Sequence, residues 1–342
     1  MRLFKFLALL LVLSLMFSLA SCKAEEGAKP KTKTYYRYFD TVCAVYSYLG
    51  DNQSVFAERC NEVEALLSLY HNLFDIYYEY DGVNNIRTIN RAAGKNPVKV
   101  DKALIDFLLF AKEMHTLTGG EVNIAMGSVL KLWHDAREVA VDDPNAAYVP
   151  TEAELAEAAK HTDINSIVID EESSTVYISD PKTSIDVGAL GKGYATDKAA
   201  ELLISLGATS YVLNFGGNIR AIGEKPSGEG WLTGITNPDK SSSESFAAKI
   251  TLKNISCVTS GNYERYFIHR GVRYHHIIDK DTLTPSRYFS SVTVLHSSSA
   301  VADALSTALF SMSYEDGKAL ADSLGAEVIW ITEDFRVINE VS

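Results

Sequence analysis

Cysteine is scarce in this chain of 342 residues, which contains four. Cys43, Cys60 and Cys257 lie far apart, whereas structural zinc sites use cysteine and histidine at short, regular spacings. A cysteine-built metal centre is therefore not expected. We predict that these three side chains are small buried residues, and the sequence leaves open one disulfide between two of them.

Positive charge is also in short supply. The chain carries 32 lysines and arginines against 44 aspartates and glutamates, which gives a formal net charge of −12. Nucleic-acid-binding domains present a concentrated basic surface to phosphate groups. A nucleic-acid partner is therefore not expected.

The sequence lacks a comfortable transmembrane span, which needs about 20 apolar residues. A shorter apolar run at residues 6–19 follows Arg2 and Lys5 and ends in small residues, the order typical of a secretory signal peptide. Leu19-Ala-Ser-Cys22 resembles a bacterial lipobox, which predicts cleavage before Cys22 and a lipid on that cysteine. An ordinary signal peptide with an incidental cysteine is the alternative.

These signals divide the chain into a lipoprotein signal peptide (1–21), a lipid-anchored flexible tether (22–34) and a single folded domain (35–342). The tether is rich in Lys, Glu, Gly and Pro and has no large apolar residue, which is typical of a linker. The predicted localisation is extracytoplasmic, on a membrane through the lipid. Since 46% of the chain is apolar, the domain can bury a sizeable core.

Hydrophobic periodicity places most helices early in the domain and most strands late. Helical spacing predicts helices over residues 54–74 and 101–118, one after Gly127 and one opened by Thr151. Alternation predicts one first strand over residues 35–48, another at 184–187, and a series of short strands from residue 211 onward. The predicted fold class is α+β, with mainly antiparallel sheet in the C-terminal half.

The stretch most suggestive of chemistry is residues 184–197, where a strand is predicted to turn into a helix. It carries three glycines and Lys192, so backbone N–H groups and a helix N-terminus can face an anion. The phosphate-loop signature is not met, because no Ser or Thr follows Lys192. A tight turn that needs glycine for its dihedral angles is the alternative.

Polar groups on other regular elements add two candidate sites. Asp303 and Thr307 are four residues apart in a predicted helix, so they share one face and can hold a hard cation such as Mg²⁺. A dipole-stabilising acid with a back-bonded threonine is the alternative. His275 and His276 lie in a predicted strand and point to opposite faces, so at most one of them faces a given pocket.

Together these stretches resemble the ApbE-like FAD:protein FMN transferases, with the motifs in the order of that family. The resemblance covers residues 36–339, essentially the whole predicted domain. The motifs are Phe39-Asp-Thr41, Gly120-Glu-Val-Asn-Ile-Ala-Met-Gly127, Asp186 to Gly193, Asn214-Phe-Gly-Gly217, His276-Ile-Ile-Asp279 and Asp303-Ala-Leu-Ser-Thr307. Relatives often carry Met-Gly-Thr at the first motif, Glu in place of Lys192, and an acid in place of Ser306.

The resemblance implies a Mg²⁺-dependent enzyme that uses FAD as a substrate. It would transfer the FMN part of FAD to a Thr or Ser hydroxyl of an extracytoplasmic flavoprotein subunit and release AMP. The acceptors would resemble the FMN-carrying subunits of Na⁺-pumping or Rnf-type redox complexes. An FAD pyrophosphatase with the same metal site and a non-catalytic FAD-binding lipoprotein are the alternatives.

The resemblance also implies roles for individual residues. Asp303, Thr307 and the backbone carbonyl of Ala189 match metal ligands, and His276 matches a catalytic position, where it would activate the acceptor hydroxyl. The positions that match FAD contacts are Phe39, Tyr80, Asn123, Ile124, Ala125, Asp186, Lys192 and Ile277. Tyr80 would stack on adenine, whereas composition alone indicates a core or rim role for the tyrosines at 77–80. Whether Ser306 joins the metal shell stays open.

Overall fold

The computed structural model of the protein describes residues 30–48 and 53–341. The predicted signal peptide, most of the predicted tether and the predicted lipidation site Cys22 lie outside these residues. None of the described helices combines the length and the apolar character needed to cross a membrane.

Most of the strands belong to one central sheet. In chain order the strands are β1 (Lys31–Tyr35), β2 (Cys43–Ser47), β3 (Val98–Lys99), β4 (Ile167–Asp170), β5 (Thr175–Ile178), β6 (Ser210–Phe215), β7 (Asn218–Gly223), β8 (Trp231–Thr236), β9 (Phe246–Leu252), β10 (Ser256–Gly261), β11 (Tyr266–His269), β12 (Val272–His275), β13 (Phe289–His296), β14 (Glu327–Thr332) and β15 (Val337–Asn339). The eight-stranded sheet has the order β1-β2-β6-β7-β10-β13-β14-β15, and every pairing in it is antiparallel. Three small sheets, β3-β5-β4, β8-β9 and β11-β12, flank it.

The helices lie mainly in the first half of the described chain. They are α1 (Gln53–Phe74), α2 (Ile86–Ala92), α3 (Lys102–Leu117), α4 (Gly127–Asp142), α5 (Glu152–Ala159), α6 (Gly191–Ser205), α7 (Ser299–Phe310) and α8 (Tyr314–Ser323). The predicted α+β class is confirmed. Sequence periodicity misses α2, which has only seven residues and is opened by a capping box between Asn85 and Thr88.

The central sheet is covered on both faces, as strand β13 illustrates. All of its residues except the last are buried. Val292 and Val294 pack with Leu305 and Leu309 of α7, while Leu295 joins a separate apolar cluster with strands β8 and β9. A strand buried on both faces holds its neighbours firmly in place, so α7 has a rigid base.

The predicted single strand over residues 35–48 is wrong. The chain forms two strands, β1 and β2, joined by a turn, and β1 begins at Lys31, before the predicted domain start at residue 35. Phe39 and Asp40 in this turn have φ values of +55° and +50°, in the left-handed region that an extended strand does not contain. The N–H of Phe39 donates to Nδ1 of His71 at 3.3 Å, which holds the turn against α1.

The predicted strand at 184–187 is also wrong. Only a single parallel bridge, between Ser184 and Met126, is formed there. The side chain of Asn90 accepts from the N–H of Ile185 at 2.8 Å and donates to its carbonyl at 2.9 Å. One side-chain amide therefore satisfies the backbone groups that a neighbouring strand would otherwise bind.

The three described cysteines, Cys43, Cys60 and Cys257, are free and buried. The prediction that they are small buried residues is confirmed, and no disulfide joins two of them. Burial raises the pKa of the Cys257 thiol to about 12, so this side chain stays protonated and packs as an apolar group.

Helices α6 and α7 meet at Gly193. A Cβ atom at this position would lie 2.5 Å from the carbonyl oxygen of Ser299 and 2.4 Å from Cβ of Asp303. Asp197, one turn further along α6, accepts hydrogen bonds from the N–H groups of Ser299 at 2.7 Å and Ala300 at 3.0 Å. The first turn of α7 is therefore fixed directly onto α6.

We expect Gly193→Ala to destabilise the fold by about 2–3 kcal/mol, because the added methyl group would push the two helices apart. The matched control is Gly317→Ala in α8, where the nearest atom to the new Cβ would be at 3.5 Å, an ordinary contact. Alanine favours a helix over glycine by about 1 kcal/mol, so the control is expected to be neutral or stabilising. Urea unfolding of both variants measures the difference, and equal stabilities would contradict the close packing.

Candidate active site

The turn before α6 is bound to the bend before α4. The N–H of Asp186 donates to the carbonyl of Ile124 at 2.9 Å, and the N–H of Gly127 donates to the carbonyl of Ser184 at 3.0 Å. A Cβ on Gly127 would lie 2.4 Å from that same carbonyl oxygen. The two glycine-containing motifs are therefore side by side, although about 60 residues separate them in the chain.

Asn123 lies in the bend before α4. Its amide oxygen accepts from the N–H of Ala125 at 2.9 Å, and its amide nitrogen donates to the carbonyl of Thr162 at 2.8 Å. The cap position of α4 itself is Met126, without a side-chain cap. Asn123 thus shapes the bend that presents Ile124 and Ala125 to the Asp186 turn, and both of these residues are buried.

Asp303 is the buried carboxylate of the site, only 4% exposed. Its Oδ2 accepts from the N–H of Gly193 at 2.8 Å and lies 3.9 Å from Nζ of Lys192. Burial raises the pKa of this carboxyl above its usual range, and Lys192 and the Gly193 N–H partly offset that rise. The positive groups around the carboxylate therefore do not fully offset the cost of burying its charge.

The carbonyl of Ala189 lies just before Leu190, the N-cap of α6. The N–H of Gly193 belongs to the first turn, where helical N–H groups have no acceptor within the helix, and it donates to Asp303. The first helical bond runs from the N–H of Tyr194 to the carbonyl of Leu190. Among the described residues, no backbone hydrogen bond to the Ala189 carbonyl is formed.

These groups fit a hard divalent cation. An under-compensated carboxylate and a backbone carbonyl that accepts no backbone hydrogen bond are both oxygen ligands of the kind that Mg²⁺ prefers. Thr307 lies one turn after Asp303 on α7 and is half-buried, so the predicted pair does share one face. Ser306 is turned away: its hydroxyl donates to the Asp303 carbonyl at 3.0 Å and bonds Ser260 at 2.8 Å. Within the described residues, no group of three or more His, Cys, Asp or Glu side chains could hold a metal.

His275 and His276 point to opposite sides, as predicted. His275 is buried, with Nε2 at 2.8 Å from the carbonyl of Ser286 and Nδ1 accepting from the N–H of Ile277 at 3.3 Å. These bonds place its ring proton on Nε2. His275 is therefore a structural residue, and only His276 is available for chemistry.

His276 is an exposed residue directly after β12. Its cationic neighbours are Arg265, Lys192 and Arg137, and the surface that they share with it is called the cleft below. Desolvation by neighbouring protein lowers the pKa of the imidazole well below its usual range, and the positive charges of Arg265 and Lys192 lower it further. His276 is therefore neutral at pH 7 and able to accept a proton. Lys192 links it to Asp303, since the ammonium acts on both side chains.

Asp186 lies on the same cleft. Its Oδ1 accepts from the N–H of Gly188 at 2.9 Å. Burial raises the pKa of its carboxyl, whereas the Gly188 N–H, His134 and Arg265 lower it. The charge of Arg265 thus acts on both predicted site residues, Asp186 and His276.

Tyr80 and Phe39 lie at one end of the site, against α1. The Tyr80 hydroxyl donates to Oδ2 of Asp75 at 2.7 Å and lies 3.3 Å from Nε2 of His71, while the Phe39 ring contacts the His71 ring. Tyr77, rather than Tyr80, lies near the charged groups of the cleft. Burial raises the pKa of its hydroxyl to about 12, with Asp186 raising it further and Arg137 and Arg265 opposing the rise.

The site thus combines a cationic cleft with the carboxylate of Asp303, which can bind a metal ion. The full sequence also matches a known protein family. The sequence model of the ApbE family matches residues 39–330, most of the chain. The chain belongs to the ApbE family. The predicted resemblance is confirmed, and the protein is a transferase, the predicted class of enzyme.

Individual relatives of this ApbE-family protein agree over most of their lengths. The FAD:protein FMN transferase of Klebsiella pneumoniae is 30% identical over 86% of this chain and 91% of its own. That of Treponema pallidum is 34% identical over 74% of this chain and 72% of its own. The crystal structure of the ApbE protein of Thermotoga maritima has a TM-score of 0.79 and 26% identity, covering 91% of this chain and 97% of that one.

Three charged or aromatic side chains of the cleft in this ApbE-family chain are not predicted from the sequence as site residues: Tyr77, Arg137 and Arg265. Arg265 immediately precedes β11, in a stretch whose pattern predicts a hairpin and no site. Arg137 lies on α4 among other polar residues. No local pattern distinguishes them. The one available signal is that His276 N–H pairs with the Arg265 carbonyl at 3.1 Å, which follows from the hairpin register.

Arg265→Gln is expected to raise the pKa of His276. The arginine disfavours the protonated imidazolium, so its removal lets the ring take up a proton at higher pH, by roughly 0.5–1 pH unit. NMR titration of the imidazole measures the shift. Arg336→Gln, an exposed arginine in the β14–β15 turn, is the control and should leave the titration unchanged; a shift of equal size there would contradict a local effect.

Proposed function

We propose that this protein is an Mg²⁺-dependent FAD:protein FMN transferase. It transfers the FMN moiety of FAD to a Thr or Ser hydroxyl of another protein and releases AMP. The observation that carries the proposal is the joining of Asp303 to the N-terminus of α6, next to Lys192, in the same cleft as a neutral His276. This arrangement supplies charge neutralisation for a pyrophosphate and a base for an incoming hydroxyl.

The cleft binds an anionic dinucleotide through its positive groups. Lys192, Arg265 and Arg137 all act on His276, so a pyrophosphate placed beside this residue meets three cationic side chains. The rings of Tyr77 and Phe39 offer flat apolar faces for the two ring systems of FAD. The family resemblance assigns adenine stacking to Tyr80, and Tyr77, which lies near Asp186 and Arg265, offers a further ring beside the charged groups.

The transfer is a displacement at phosphorus. The acceptor hydroxyl oxygen forms a bond to the FMN-side phosphorus while the anhydride bond to AMP breaks, and the AMP phosphate keeps the bridging oxygen. The hydroxyl proton passes to the neutral imidazole of His276. Lys192 and Arg265 are placed to stabilise the negative charge on the phosphoryl oxygens, and positioning accounts for much of the acceleration in reactions of this kind.

Asp303, Thr307 and the Ala189 carbonyl are the residues that would hold Mg²⁺. The ion supplies Lewis-acid neutralisation of the pyrophosphate when it is bound. Asp303 is the only carboxylate among these three groups, and its burial and the Gly193 N–H fix its orientation. One protein carboxylate suffices for Mg²⁺, which usually keeps water and substrate phosphate in its shell.

The proposed setting is the outer side of a membrane. The lipobox-like sequence at Cys22 and the linker after it would anchor the domain there by a lipid, within reach of extracytoplasmic flavoprotein subunits. Subunits like those of Na⁺-pumping or Rnf-type redox complexes are the proposed acceptors. Metabolic labelling with a radioactive fatty acid tests the anchor, and Cys22→Ser should abolish the label.

The test of the activity incubates the protein with FAD, Mg²⁺ and purified candidate acceptor subunits, and measures acceptor mass and AMP together. A mass gain of one FMN on the acceptor, with an equal amount of AMP, is the expected result. AMP and free FMN without a modified acceptor would indicate an FAD pyrophosphatase. Bound but intact FAD would indicate a carrier, and either of these outcomes overturns the proposal.

A further inference from the structure

We propose that Lys192 makes metal binding at Asp303 depend on FAD. In the free protein the Lys192 ammonium is the counter-ion of this carboxylate and lowers its affinity for a divalent cation. The pyrophosphate of FAD then binds the ammonium, so that the metal and FAD are bound together. The inference rests on the proposed function and adds the residue that couples its two ligands.

Lys192 is the cation that the fold places beside Asp303. It occupies the second position of α6, next to Gly193, where α6 and α7 are in contact. Its Nζ lies 3.9 Å from Oδ2 of Asp303, and across residues 30–48 and 53–341 no other lysine, arginine or histidine nitrogen lies within 4.0 Å of this carboxylate. The Lys192 side chain is 27% exposed and Asp303 is buried, so water screens this pair only in part. Any cation that binds Asp303 therefore meets the charge of Lys192.

The ammonium of Lys192 can move away from Asp303. At 3.9 Å the two groups are attracted by charge, but a hydrogen bond needs about 2.7–3.2 Å. Within the part of the chain that the structure describes, Nζ of Lys192 makes no hydrogen bond. Asp303, in contrast, is fixed by the N–H of Gly193 at 2.8 Å. A competing anion can therefore draw the flexible lysine side chain away while the carboxylate stays in place.

The neighbouring groups of Lys192 indicate which anion it meets. Its charge lowers the pKa of the His276 imidazole as well as that of Asp303, so both side chains lie within its electrostatic reach. The proposed reaction brings the pyrophosphate to His276, together with the positive charges of Arg265 and Arg137. A pyrophosphate is doubly charged and can accept hydrogen bonds from the ammonium, which Asp303 does not at its present distance. The Lys192 ammonium should therefore turn from Asp303 to FAD when FAD binds.

Coupling between the two ligands follows from this exchange. Among the described residues, Oδ1 of Asp303 accepts no hydrogen bond, so the carboxylate can bind a cation and keep its bond to the Gly193 N–H. Without FAD the ammonium repels that cation, whereas with FAD the negative charge of the pyrophosphate neutralises both. Thermodynamic linkage then requires FAD and the metal to raise each other's affinity by the same factor. A lysine that only bound phosphate would raise the affinity for FAD and leave the metal affinity of the free protein unchanged.

The test measures metal binding directly, with Mn²⁺ as a spin probe of the site and the free ion quantified by EPR. Titrations are run on the protein alone and with saturating FAD but no acceptor, and FAD alone gives the correction for metal bound in solution. Lys192→Met removes the charge and keeps the length of the side chain. We expect the Kd for Mn²⁺ without FAD to fall about tenfold or more, the Kd with FAD to change much less, and the affinity for FAD without metal to decrease. Lys192→Arg keeps the charge and should retain the weak metal binding of the free protein.

Two controls assign the effect to this contact. Lys198→Met removes a cation of the same helix whose partner is Glu201, at 2.9 Å, and it should leave both metal affinities unchanged. Asp303→Asn added to Lys192→Met should abolish the gained metal affinity, because the carboxylate is the proposed ligand.

Three results would contradict the inference. Unchanged Mn²⁺ affinity of the free Lys192→Met protein, with weaker FAD binding, would make Lys192 a phosphate ligand only and leave the proposed function intact. Equal tightening in Lys198→Met would indicate a general effect of net charge, with the same consequence. Mn²⁺ binding that Asp303→Asn does not change, with or without FAD, would place the metal elsewhere and overturn the metal site of the proposed function as well.

Discussion

Asp303→Asn is expected to lower the rate of FMN transfer at least about a thousandfold, since several kcal/mol of charge stabilisation is lost when the metal carboxylate becomes neutral. The substitution keeps the shape of the side chain, and its amide oxygen can still accept from the Gly193 N–H. Stability should therefore be unchanged or slightly higher, because a buried charge has been removed. AMP release from FAD across a Mg²⁺ titration measures the effect.

Asp303→Ala separates structure from charge at the same position. It should lose the activity equally and also lose about 1–2 kcal/mol of stability, because the buried Gly193 N–H is left without its acceptor. Full Mg²⁺-dependent activity in either variant would show that the metal lies elsewhere. A matched loss of activity in both, with stability lost only in the alanine variant, assigns the activity to the charge.

The second large effect is expected for His276→Ala. General-base catalysis contributes about 10²–10⁴-fold, so transfer to the acceptor should slow by that factor while FAD binding and stability are retained. A single-turnover assay with preloaded FAD measures the chemical step. Unchanged transfer would remove His276 from the role of base.

The adjacent histidine is the matched control. His275 is buried and bonded to Ser286 and Ile277, and its ring lies edge-on to Phe310. His275→Ala should therefore lower the free energy of unfolding by about 2–4 kcal/mol, through a cavity and an unpaired carbonyl. His276→Ala should thus lose activity and keep its stability, whereas His275→Ala should lose stability. Equal effects of the two variants on rate and stability would contradict a catalytic role for His276 and a structural role for His275.

Local chemistry accounts for the parts of the fold that sequence reasoning predicts. The helix predicted to open at Thr151 does so, and a capping box between Thr151 and Glu154 forms its start. The Gly216-Gly217 pair of the fourth motif joins β6 to β7, and both glycines have positive φ values. In each case the residues that determine the structure are within a few positions of one another, so a short window contains all the information.

The predictions that are wrong depend on distant partners. The segment 184–187 has the alternation of a strand, but Asn90 of α2 takes its hydrogen bonds. The turn at Phe39 and Asp40 is bound to His71 of α1, and its left-handed residues are not glycines that a sequence pattern would reveal. A side chain far along the chain decides each of these structures.

The class of fold, the family resemblance, the alternation of His275 and His276, and the common helical face of Asp303 and Thr307 can all be predicted from the sequence. The resemblance rests on local motifs, and the other three follow from the periods of strand and helix, which are fixed by backbone geometry. Three features require the tertiary structure: the hydrogen bond from the Gly193 N–H to Asp303, the position of Tyr77 near the cleft charges, and the effect of Arg265 on His276. Those contacts join separate elements, and the packing that creates them depends on the whole core.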